Sequence, residues 1–69
     1  MKQQLIDGLR KKYEGEIGEA KANIQVYLLN PVGIGEHPDI IQAIDTQLIK
    51  IAEAEDKILA LDKHFEKDW

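Results

Sequence analysis

Residues 28–41, LLNPVGIGEHPDII, decide how this chain folds, because they divide it into two long segments with helical periodicity. Asn30 reads as a left-handed terminator after Leu29, and Pro31, which has no N–H to donate, cannot continue a helix. Gly33 and Gly35 permit positive φ where the chain reverses. His37 falls at the N-cap and Pro38 at the first position of a second helix, where its missing N–H would have no partner in any case. Asp39, one step on, complements the positive end of that helix dipole. The stretch predicts a helix stop, a reversal and a helix start, with Val32 and Ile34 as an apolar plug over the end of the core.

The same residues invite a second reading, since glycines ahead of a helix N-terminus expose backbone N–H groups to anions. GIGEHP lacks the preceding strand and third glycine of a dinucleotide fingerprint, and the Lys-Ser/Thr ending of a P-loop. Glu36 also puts negative charge where a phosphate would sit. A structural turn is the better reading.

On the N-terminal side, Leu5, Ile6, Leu9, Tyr13, Ile17, Ala20, Ile24, Tyr27 and Leu28 recur at steps of mostly three and four, which is one face of a helix. On the C-terminal side the same holds for Ile40, Ile41, Ile44, Leu48, Ile51, Ala54, Ile58, Leu61 and Phe65. Ile44, Ile51, Ile58 and Phe65 are seven apart, the spacing that keeps one face toward a long partner helix. Neither segment alternates with period two, so strands are excluded. Gly8, Gly15 and Gly18 interrupt the first helix, each at a cost of up to ~1 kcal/mol relative to alanine. Gly8, Gly15, Ala22 and Val26 line up on the side opposite the apolar stripe, as a groove of small residues on a solvated face or against a neighbour.

Two acids, Glu55 and Asp62, are predicted near the centre of the second stripe, where a carboxylate needs a partner. If the hairpin closes across residues 30–38, opposed positions have numbers that add to about 68. Glu55 then lies opposite Tyr13, and Asp62 opposite Ile6 and Lys2, with Arg10 one turn from both. Buried polar pairing of Glu55 and Asp62 with Tyr13 and Arg10 is one expectation; a metal or acid/base site is its rival. Dimetal bundles use a Glu-x-x-His motif, and none occurs: His37 falls at the turn and His64 on the far face of the second helix.

At 69 residues the chain is one domain that buries only about 60% of its unfolded surface, so it needs support. Without cysteine or a Cys/His cluster, neither disulfides nor structural zinc supply it, which leaves oligomerisation. The formal net charge of -4 works against adhesion to nucleic acid or anionic membrane. Arg10, Lys11 and Lys12 form the one basic cluster, and Asp7 and Glu14 flank it. No apolar run exceeds four residues, and the N-terminus MKQQLIDGLRKKYEGE has no signal-peptide core, so a cytoplasmic protein is expected.

Residues 30–58, NPVGIGEHPDIIQAIDTQLIKIAEAEDKI, resemble small helical proteins of T4-like tailed phages, those of marine cyanobacteria among them. The resemblance implies a phage-encoded accessory protein made in the host cytoplasm, and it carries no functional residue across.

These readings converge on an all-α fold: a single antiparallel two-helix hairpin (helix 2–29, turn 30–37, helix 38–68) that completes a four-helix bundle by dimerisation. The expected oligomer interface is Ile6, Tyr13, Ile17, Ile24, Ile44, Leu48, Ile51, Ile58 and Phe65, with Trp69 on the same stripe. The expected function is a structural or protein-binding module with no enzymatic activity, cofactor or metal. Its partner would be a second copy of itself or a helix of a phage or host protein, neither nucleic acid nor membrane. The alternative is a bundle that binds a small ligand or metal through Glu55, Asp62 and Tyr13.

Overall fold

The computed structural model describes residues 1–29 and 39–66, which form α1 (Lys2–Leu29) and α2 (Ile40–Leu61), the latter running into a π-helical turn (Asp62–Glu66). There is no strand among the described residues. The expectations for Asn30, Pro31, Gly33, Gly35, His37, Pro38 and Trp69 fall outside them.

The α1 ladder opens with the Leu5 N–H donating to the Met1 carbonyl at 3.1 Å, and Gln3 Nε2 donates to Asp7 one turn on at 3.0 Å. Helix α2 begins at Ile40, two residues later than the proline at 38 predicts. Asp39 is its N-cap; the Asp39 carbonyl accepts from the Ala43 N–H at 2.9 Å, while its side chain makes no capping bond. At the far end α2 does not continue to residue 68 as regular α-helix but widens after Leu61. The widened turn starts at Asp62, the residue that Arg10 holds from across the hairpin.

The helices run antiparallel, and three cross-seam contacts set their register. Arg10 Nη2 donates to Asp62 Oδ1 at 2.5 Å, Asn23 Nδ2 donates to Gln47 Oε1 at 3.1 Å, and the Lys57 ammonium lies 5.4 Å from the Tyr13 ring centre. The paired residue numbers add to 72, 70 and 70, not 68. The register is therefore offset from the expected one, and the expected opposition of Glu55 to Tyr13 and of Asp62 to Ile6 is replaced by Lys57 with Tyr13 and Asp62 with Arg10.

The seam follows a four-three alternation on both helices. On α1 it runs through Ile6, Arg10, Tyr13, Ile17, Ala20, Ile24 and Tyr27, all buried or half-buried; on α2 through Ile40, Ile44, Gln47, Ile51, Ala54, Ile58 and Leu61, likewise. Ala20 and Ala54, each 1% exposed, are small enough to let the backbones approach near mid-seam. Ile6 and Leu61 close the open end, each burial contributing about 1.5–3 kcal/mol.

What this seam builds is one layer. The Cα extents are 50 × 16 × 12 Å, so the third dimension is about one helix thick. The radius of gyration is 15.6 Å. A compact domain of this length has about 11 Å. The chain exposes 5387 Å², whereas a globular monomer of its mass exposes about 4,400 Å². A stable domain packs at least two layers around its core, and the described residues form one.

Candidate interaction face

A one-layer hairpin has two broad faces, and the flanks of the seam make them chemically different. On one face Glu16, Glu19, Lys50, Glu53 and Lys57 line an open groove between the helices. The opposite flank of α1 carries Arg10, Ile17 and Ile24, and that of α2 carries Ile44, Ile51 and Ile58, all half-buried. One step further out on α2 come Ile41, 77% exposed, and Leu48, 51% exposed, followed by Glu55 and Asp62 at the same heptad position. The ion pair between Arg10 and Asp62 crosses the hairpin on this apolar side and marks its open end.

On the charged face, Glu16 and Lys57 engage neighbouring side chains. Lys12 Nζ donates to Glu16 Oε2 at 2.6 Å one turn along α1, and lies 5.6 Å from the Tyr13 ring centre. That hydrogen bond raises the Lys12 pKa above its ordinary value and is the main cause holding the Glu16 carboxyl below its own, with the charges of Lys12 and Lys57 adding to the effect. Tyr13 thus has two ammonium groups near its ring, cation–π contacts worth about 0.5–1 kcal/mol each at exposed sites.

The acids expected at the centre of the stripe stand elsewhere. The middle of the α2 seam is Gln47, Ala54 and Leu61, so Glu55 and Asp62 sit on its outer shoulder and are exposed. The buried pairing of Tyr13, Arg10, Glu55 and Asp62 is therefore corrected to a partly exposed pair, Arg10 with Asp62, while Tyr13 faces Lys57 and Glu55 faces solvent. For the rival site, Glu55 and Asp62 stand on the exposed shoulder while Tyr13 faces Lys57, and no three His, Cys, Asp or Glu side chains cluster among the described residues.

Of the residues expected at an oligomer interface, Ile6 is buried inside the hairpin and Tyr13 is taken up by the seam and its lysines. Ile17, Ile24, Ile44, Leu48, Ile51 and Ile58 share the apolar face, and Phe65 is about half exposed in the π-turn beside His64. The apolar stripe by itself does not point to buried Gln47 or to its donor Asn23. A strict four-three count from Ile40 lands on Gln47 and would have found it. The three glycines of α1 face open space: a Cβ built at Gly8, Gly15 or Gly18 meets no atom within 4 Å.

None of the α-helices among the described residues is long and apolar enough to cross a membrane. Comparison with protein-family models, curated proteins and solved structures finds no match to this chain.

Proposed function

We propose that this chain is a protein-interaction module whose occupant is a second copy of itself: two hairpins stack through their apolar faces and close an antiparallel four-helix bundle. The observation that supports it is the single helical layer carrying Ile17, Ile24, Ile44, Leu48, Ile51 and Ile58 on one face. The surface in excess of a compact monomer is about 1,000 Å², close to the roughly 800 Å² that each partner buries in a stable interface. Stacking also supplies the second layer that the fold lacks. Following the resemblance of residues 30–58, we assign the module to the accessory proteins of tailed phages, working in the host cytoplasm through protein contacts and without catalysis.

Sedimentation equilibrium across a hundredfold dilution, with helicity followed in parallel, tests the reading. The expected result is a dimer mass, with helicity lost as the dimer dissociates, because anything that binds only the folded chain stabilises it by mass action. A monomer mass with unchanged helicity throughout refutes it.

A further inference from the structure

Self-association leaves open how the copies stack, and the charges at the rim of the apolar face distinguish the two arrangements that a twofold axis permits. Along α1 that rim is Asp7, Glu14, Lys21 and Leu28, seven apart and one step outside Arg10, Ile17 and Ile24. Along α2 it is Ile41, Leu48, Glu55 and Asp62. In both rims the acids gather toward the open end of the hairpin, and the aliphatic residues toward the connection between the helices.

If the two connections lie at the same end, α1 of one copy stacks on α2 of the other at equal height. The observed register then sets Glu14 against Glu55, and Asp7 beside Asp62, itself paired with Arg10, each twice by symmetry. Like charges directly apposed at an interface are a specificity penalty. If the connections lie at opposite ends, α1 stacks antiparallel on α1 about an axis near Ile17 and Gly18. Glu14 then meets Lys21 of the second copy, again twice, Asp7 meets Leu28, and Asp62 lies beside the aliphatic stretch of α2. Glu55 alone among these acids approaches its own symmetry mate. Opposite charges replace like ones at Glu14.

We infer that two copies stack with their helix connections at opposite ends, α1 on α1, with reciprocal ion pairs between Glu14 and Lys21. This rests on the self-association proposed above. Symmetry makes each substitution count twice, so a rim charge that is minor in one chain is doubled in the dimer.

The test uses the full chain, which has no cysteine of its own. A spin label on Leu29→Cys, an exposed position at the end of α1, reports the arrangement by dipolar spectroscopy. With connections at opposite ends the labels are separated along the axis by roughly 35 Å; at the same end they lie within roughly 25 Å. In parallel, Glu14→Lys is expected to weaken the dimer roughly tenfold, and Glu14→Lys with Lys21→Glu to restore it to within about twofold. The long distance with loss and rescue is the expected result. The short distance, or a Glu14→Lys dimer tighter than the parent, overturns the arrangement while self-association stands. A monomeric mass with no dipolar coupling overturns both.

Discussion

Replacing Gly8, Gly15 and Gly18 together by alanine is expected to raise stability by about 2–3 kcal/mol. All three lie inside α1, and the added methyl groups meet no atom within 4 Å, so no steric term opposes the gain in helix propensity. Each substitution is worth about 0.8–1.0 kcal/mol in a helix interior, because alanine has fewer unfolded conformations to lose than glycine. Methyl groups that share no partner should act additively to within about 0.5 kcal/mol. For a domain this small each kcal/mol moves the melting temperature by about 4–8 °C, which gives a rise of roughly 10–20 °C. The assay is urea denaturation followed by circular dichroism at two fixed protein concentrations, since association contributes to apparent stability. The midpoint should rise at both concentrations with the denaturant slope unchanged, as expected when stability alone has changed. A loss of stability that appears only at the higher concentration would show a second chain seated in the glycine groove, and the argument from open space would then be wrong.

Glu16 and Asn23 carry the other expectations. The folded-state pKa of Glu16 is depressed from an ordinary 4.5, so its contribution to stability is present above that value and is lost as pH falls through the lower folded value. The carboxyl should titrate below 4.5 by NMR in the parent and move up in Lys12→Met; a midpoint at or above 4.5 in the parent contradicts the pairing. Substituting the amide pair, Asn23→Leu with Gln47→Leu, should leave the seam as stable or more stable, because replacing both partners of a hydrogen bond by apolar groups leaves no group unpaired. It should also broaden the distribution of masses in sedimentation, since one polar pair in an apolar seam specifies register and partner number. A double variant that is less stable, with a single unchanged mass, would show that the pair is there for stability alone.

Helix content and the hairpin were legible because they depend on local signals. A period of three and four over Ile6 to Tyr27 and again over Ile40 to Leu61 specifies two amphipathic helices whatever their surroundings. The small buried core was also foreseeable, since two stripes joined by one reversal enclose little. Register was not. It depends on how the two stripes slide against each other, and a small slide changes every cross-seam pair, taking Asp62 to Arg10 and Lys57 to Tyr13. Which flank of each stripe turns inward was likewise a tertiary matter. A stripe more than 100° wide has more apolar residues than one partner helix can cover, and packing chose Gln47, Ala54 and Leu61 as the centre. That choice left Leu48 and Glu55 on the shoulder, and with them the candidate face. The sequence by itself determined the elements, because periodicity is a property of one chain segment; only the tertiary structure decided the faces, because they exist only once two helices have rotated into contact.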